Sequence, residues 1–470
     1  MVKKKFTRTP AEAGPPLPSG PIPTPVNRQR LYLHLVIALA AVLLRVYFVA
    51  HAQWYARSDT RNFHEYACNF LSGKEWANFW FEDPRYAGFE YRQYHAPAYP
   101  MLLTAIYAIS GFDKEAYLKS PMATVMSGAH PWRAVGFNPR YAYAANIVMD
   151  MLTMWFLVML AYHYFHAAAA FGVQVVSALS VMWTPMLISE SMFNCMFAWT
   201  LWAAATNPEF TNVRRNILFS LAILLAVMTK PIGVVLGGAA ALPLLLGGKW
   251  RRLVTLAGLG VPVLLYIAFM FWNSHRLYGR AYFMANRGEA LAANTYLPEV
   301  YVPYEQSYGW LKENLGRIPK DWEVNDRYMA VIKQKFADQP SLMVRNYLRN
   351  LTSLFSLKPD WWLEQWTWPA TYYFAPEARA WHQRLFKVHY LTYPLGILGL
   401  LLLGRRTPTV AWTMVLFVLL HAYATWGHFR YMAPGALILG WYAGVMLSRV
   451  PALWQVRPQP AAGRSAQTNA

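Results

Sequence analysis

Asp59 stands just past a hydrophobic segment that runs from about Leu31 to Ala50. It opens the polar and aromatic stretch Ser58-Asp59-Thr60-Arg61-Asn62-Phe63-His64-Glu65. A second carboxylate, Glu190, follows Pro185 between two apolar stretches, and Lys230 precedes Pro231 in another break. Arg45 lies inside the first hydrophobic segment, Asn273, His275, Arg276 and Arg280 follow a later one, and His428-Phe429-Arg430-Tyr431 opens the last. Stranding an ionisable group at membrane depth costs several kcal/mol, so each is a candidate for chemistry or binding. The chemistry suggested is that of carboxylates facing cations at a membrane boundary, with phosphate-bearing lipids as the natural anionic partners.

Each candidate also has a plainer reading. Asp59 suits the cap of a helix over 60–72, a role that can coexist with chemistry. Glu190 suits a helix N-terminus beside Pro185. Arg45 either snorkels or binds a backbone carbonyl, or reaches a ligand. Lys230 and Arg430 either anchor the interface or bind the ligand. The Trp-rich run 359–369 either stacks on a sugar or forms an interfacial aromatic belt. Glu82, Asp83 and Glu90 are carboxylates that a divalent cation could use, or plain loop residues.

The elements that must position these residues are hydrophobic. The chain has 470 residues, 56% hydrophobic and 14% charged. Apolar segments recur near 31–50, 141–162, 168–187, 188–205, 216–230, 231–247, 253–273, 387–404, 408–425 and 429–448. A helix needs about 20 residues to cross the hydrocarbon core, and this pattern predicts a polytopic bundle of about ten spans, all-α within the membrane. The formal net charge of +20 comes without a nucleic-acid-binding motif, which favours anionic lipid as partner over nucleic acid. Two cysteines, Cys68 and Cys195, have neither CxxC spacing nor nearby histidines, which argues against a disulfide or a zinc site.

Charge sets the orientation. Lys3, Lys4, Lys5, Arg28 and Arg30 precede the first span, and Arg214, Arg215, Lys249, Arg251, Arg252, Arg405, Arg406 and Arg449 fall on the same face if that span runs outward. This holds only if the run 97–111, about 15 residues and short for a crossing, is a surface or re-entrant helix. Residues 1–30 then read as a disordered basic cytosolic tail and 31–273 as a membrane module with an external loop over 51–140. Residues 274–386 form a second external, periplasmic region. Residues 387–449 hold the C-terminal spans and 450–470 a cytosolic tail. External amphipathic helices are expected over 60–72, from Phe63, Tyr66, Ala67 and Phe70, and around Leu342–Leu351.

In this order the pieces resemble the GT-C class of integral-membrane glycosyltransferases, in particular the bacterial branch related to protein O-mannosyltransferases and the lipid A aminoarabinose transferase. The pattern is carried by Arg45, Asp59, Phe63, Ala67 and Gly73, then Pro97-Ala98-Tyr99-Pro100, Pro185 with Glu190, Lys230-Pro231, Asn273 with Gly279, and Arg430-Tyr431-Met432-Ala433-Pro434. Phe63 stands where the family usually has Tyr, and Ala98 where it usually has Gly. The resemblance spans roughly residues 31–450. It implies a GT-C-like bundle in a bacterial inner membrane, N-terminus in the cytoplasm and active site outside. It implies an inverting transfer from a polyprenyl-phosphate sugar to a lipid, glycan or protein acceptor. Asp59 is then the general base, with Glu65 or Glu190 orienting it or a sugar hydroxyl. Arg45, Lys230, Arg280 and Arg430, with His428 and Tyr431, bind the donor's phosphate and sugar. No cofactor is implied, although some of the class use a divalent cation. The competing readings are a lipid or glycan transporter, whose path Arg45 and Lys230 would line, and a non-catalytic scaffold.

Overall fold

The computed structural model describes residues 28–51, 58–74, 78–79, 90–91, 96–119, 136–180, 189–281, 283, 304–355, 376–424 and 432–449. Within them the chain is helical except for one two-residue antiparallel pair, Asn78–Phe79 (β1) with Glu90–Tyr91 (β2), a small departure from the all-α expectation. Helix α1 (Arg28–Ala50) leads into α2 (Ser58–Leu71), and α3 (Ala98–Ser110) and the short α4 (Lys114–Lys119) follow β2. The bundle continues with α5 (Pro139–Tyr164), α6 (Ala167–Leu179), α7 (Glu190–Ala205) and α8 (Val213–Thr229). A single 3-10 turn, Pro231–Val234, leads into α9 (Val235–Leu246), then α10 (Trp250–Leu259) and α11 (Val261–Tyr278). Helices α12 (Tyr304–Leu315), α13 (Asp321–Asp338), α14 (Pro340–Leu354) and α15 (Pro376–Phe386) fill the long second loop region. The C-terminal helices are α16 (Val388–Leu403), α17 (Pro408–Ala424) and α18 (Ala433–Leu447).

All ten expected segments hold a helix, but their lengths differ from expectation. By length and composition α1 and α5 can cross a membrane, and α10 with α11 forms a third crossing if that pair, bent by 46°, is one span. The segment expected as a single span over 253–273 breaks there because Gly260 ends α10 and Pro262, lacking an N–H, sits in the first turn of α11. Helices α3, α6, α9 with its 3-10 turn, α17 and α18 are apolar but shorter. Helices α3 and α6 have 13 residues each, about 20 Å at 1.5 Å per residue, which falls short of a ~30 Å core. Helix α3 packs on α2, α5 and α8.

Helix packing sorts the chain into one bundle. Helix α18 lies between α16 and α6, α5 packs on α6 and α7, α7 on α8, α9 on α17, and α1 on α5 and α6. A Cβ built on Gly172 would sit 2.1 Å from the Gly444 carbonyl oxygen, so α6 and α18 cross backbone to backbone. Small residues permit such crossings where apolar burial gives no drive between helices in lipid. At the α2–α3 end, Phe63 meets Tyr99 edge-on with centroids 5.2 Å apart, and Tyr107 hydrogen-bonds the ring of His64. Gly73, at φ +80°, ends α2 in the left-handed conformation that glycine adopts freely. On the other side of the bundle, Asn350 of α14 donates its Nδ2 to the Ala422 carbonyl of α17 at 3.2 Å.

Candidate functional site

The break between α8 and the 3-10 turn places a lysine. Pro231 disfavours helical backbone in the residue before it, and Lys230 is extended, at φ −148° and ψ 127°. Its N–H still bonds the Ala226 carbonyl at 2.8 Å, and its carbonyl accepts from Gly233 at 2.9 Å. The turn folds back so closely that a Cβ on Gly233 would lie 2.8 Å from the Ala226 carbonyl carbon. The Lys230 side chain is thereby thrown clear of α8 toward α7.

Glu190 is the first residue of α7, and a carboxylate there is favoured by the unbonded N–H groups of the first turn. Lys230 Nζ lies 2.8 Å from Glu190 Oε1, with Glu190 fully buried and Lys230 partly so. The ammonium also sits 5.8 Å from the centroid of the Phe193 ring, one helical turn along α7. The charge of Glu190 reaches Tyr99 of α3, whose hydroxyl is pushed up first by burial and further by that carboxylate, against the lowering effect of an Asn146 hydrogen bond. Tyr99 Oη donates to Asn146 Oδ1 at 3.4 Å, tying α3 to α5. Buried His421 of α17 lies within electrostatic range of Lys230 and rests on Phe417, with ring centroids 4.0 Å apart. Five segments far apart in the chain thus converge on one acid–base pair.

Arg45 is placed differently. It is buried in α1, and its Nη1 donates to the carbonyls of Ala41 and Ala178 at 3.1 and 3.2 Å. Its Nη2 donates to Ser177 and Ser180 at 3.2 Å each, and its Nε lies 3.4 Å from Asp150 Oδ2 of α5. A helix leaves its last carbonyls without intrahelical partners, and a dry bilayer offers no water to replace them. Arg45 supplies donors to the end of α6, and Asp150 balances its charge. Asp150 is absent from the sequence-derived site, although an acid within the expected span 141–162 was itself a signal.

Glu65 is buried on α2, where its charge helps burial raise the Cys68 thiol. His64 beside it is held neutral by burial, its pKa pushed down to about 3. Arg280 follows α11 and turns to α13, where it pairs with Asp326 at 2.5 Å and lies 4.7 Å from the Trp322 ring centroid. Asp59 is the second residue of α2, about one helical turn before Phe63, and its side chain lies outside the described residues. His428, Arg430 and Tyr431, as well as Glu82, Asp83 and the tryptophans of 359–369, also lie outside them. Among the described residues, no group of three or more histidines, cysteines and acids is arranged to hold a metal ion.

No family model matches the chain, and no curated protein matches it. Solved structures similar to it include the archaeal oligosaccharyltransferase AglB from Archaeoglobus fulgidus in complex with an inhibitory peptide and a dolichol-phosphate. That match has 14% identity and a TM-score of 0.44, and covers 89% of this chain and 50% of that one. ArnT from Cupriavidus metallidurans bound to undecaprenyl phosphate matches with 15% identity and a TM-score of 0.36, covering 90% of this chain and 78% of that one. The chain therefore spans about half the length of the archaeal enzyme.

Proposed function

We propose that the protein is an integral-membrane glycosyltransferase that moves a sugar from a polyprenyl-phosphate donor to a lipid, glycan or protein acceptor at the external face of a bacterial inner membrane. One observation carries this reading: Glu190 and Lys230 form a buried acid–base pair at 2.8 Å within the electrostatic reach of Tyr99 in α3, which packs on α2, the helix whose sequence includes Asp59. The orientation follows from the Arg214–Arg215 and Lys249–Arg252 clusters, because cytosolic loops are enriched in Lys and Arg.

In this reaction the acceptor oxygen or nitrogen attacks the anomeric carbon, and Asp59 takes the acceptor's proton. The bond from the anomeric carbon to the phosphate oxygen breaks on the opposite face, so the configuration inverts, and the lipid phosphate leaves with the bonding electrons. A phosphate leaving group needs cations rather than an acid. Lys230 and Arg430 supply them, with Arg280 further out, while His428 and Tyr431 contact the donor. Glu190 holds Lys230 in place through the contact at 2.8 Å, and Glu65 buttresses α2 from within the α2–α3 unit. Arg45 enters as the strut beneath the site, since its guanidinium is engaged by α6 and Asp150.

Asp59→Asn is expected to lower sugar transfer by about 10²–10⁴ while the protein still folds and inserts. Transfer from a radiolabelled polyprenyl-phosphate sugar measures it, and near-normal turnover in a folded variant would overturn the assignment.

A further inference from the structure

Below the Glu190–Lys230 pair the helices do not close completely. A cavity of about 40 Å³ lies where α1, α5, α6, α7, α16 and α18 meet. Arg45, Asp150, Thr153, Asn194 and His389 line its polar side, and Met154 is among its apolar neighbours. A single water needs roughly 10–15 Å³ measured in this way, so the space holds at least one and at most about three. Asn194 lies one helical turn past Glu190 and is only 4% exposed, yet among the described residues its side-chain oxygen has no hydrogen-bond partner. A buried amide oxygen left in that state costs about 1–3 kcal/mol, which a resident donor would relieve.

We propose that this cavity is a binding site for ordered water, held by Asn194, Asp150 and Thr153 at the centre of the bundle. Two features favour water over an empty void or an ionic ligand. Genuinely dry cavities are apolar, and this one presents a guanidinium, a carboxylate, an amide, a hydroxyl and an imidazole. The two fixed charges already oppose each other across 3.4 Å, so the site attracts neither an anion nor a cation strongly, whereas water can both donate to Asn194 Oδ1 and solvate the pair. The water thus completes the hydrogen bonding of α7 one turn below Glu190 and hydrates the Arg45–Asp150 strut.

X-ray radiolysis of the full-length protein in lipid nanodiscs tests this independently of any enzymatic activity, because bound water generates hydroxyl radicals where it sits. Met154 lines the cavity at 4% exposure, whereas Met414, at 2%, is buried elsewhere in the bundle. Oxidation of Met154 is expected to be roughly ten-fold faster than that of Met414, since methionine oxidation follows access of the oxidant. Asn194→Leu is expected to bring the Met154 rate down to the Met414 rate. Thr153→Val, close in shape, is the second variant if Asn194→Leu does not fold, and a several-fold drop is expected from it. Equal rates for the two methionines in the unaltered protein, or a Met154 rate unchanged in the folded variants, would overturn the water site.

Discussion

Two lysine–glutamate pairs of the same chemistry clamp opposite ends of the α7–α8–α9 unit, and each joins residues 40 apart in the chain. Lys249 and Glu209 meet at 2.5 Å with both side chains 47% exposed, while Lys230 and Glu190 meet at 2.8 Å with side chains 18% and 1% exposed. Water screens the first pair, and exposed pairs contribute about 0–1 kcal/mol. The second is largely removed from water, where losing one partner strands the other charge at a cost of about 3–5 kcal/mol. Contact distance therefore says little about importance here, and burial decides it. A buried pair is seldom worth more than apolar residues of the same shape, so its retention beside the α2–α3 cap fits a site that handles charge better than a device for stability.

The comparison breaks most readily at Lys230. Lys230→Ala is expected to destabilise the bundle by about 3 kcal/mol, the low end for a buried pair because the ammonium keeps some water. Denaturant unfolding in detergent measures it. Adding Glu190→Gln to that variant is expected to recover most of the stability and none of the sugar transfer. If stability and transfer recover together, the pair is only structural.

Gly233→Ala perturbs the same pair through the backbone. Its new Cβ would lie 2.8 and 2.9 Å from backbone atoms of Ala226 and Val227, which cannot swing aside as a side chain could. A loss of about 1–3 kcal/mol is expected, together with weakened donor binding as Lys230 shifts. Unaltered donor affinity by titration would show that Lys230 keeps its place without the glycine.

Acid sharpens the contrast at the α2–α3 end. Burial pushes the folded His64 pKa down to about 3 from the ordinary 6.5, so the unfolded chain binds the extra proton first as pH falls. Its contribution is complete above pH 6.5 and is lost on acidification from there toward pH 3, by up to about 1.4 kcal/mol per pH unit. Protection factors of the α2 and α3 amides, corrected for the pH dependence of intrinsic exchange, are expected to fall between pH 7 and 5 in the native protein and to follow a flatter course in His64→Gln. The smallest effect is reserved for the exposed pair: Lys249→Ala should change stability by less than about 1 kcal/mol and leave transfer intact.

Parts of this arrangement are legible in the amino-acid sequence. The helix over 60–72 appears as Ser58–Leu71, and the amphipathic stretch around Leu342–Leu351 as Pro340–Leu354, because Phe63, Tyr66, Ala67 and Phe70 and their counterparts recur at helical spacing. The run 97–111 appears as the 13-residue α3, between Ala98 and Ser110. Asp150 is hidden in sequence because its segment is apolar on average, and a window of hydropathy masks one carboxylate. His421 and Tyr99 gave no signal of their own, since an isolated histidine or tyrosine on an apolar helix is ordinary in sequence. Arg280 resembled Lys230 as a cation after a span, yet it pairs with Asp326 of α13.

The sequence by itself determined the membrane character, the apolar segments, the break at Lys230-Pro231 and the acidic start of α7, because hydropathy, proline's missing N–H and helix-end electrostatics act locally. Only the tertiary structure decided that Lys230 reaches Glu190, that Arg45 turns to the end of α6 and to Asp150, and that Tyr99 joins Asn146 and the field of Glu190. Those pairings depend on the rotation of each helix about its axis and on which faces meet. Close crossings such as Gly172 on Gly444 set both, and no local rule in the sequence encodes them.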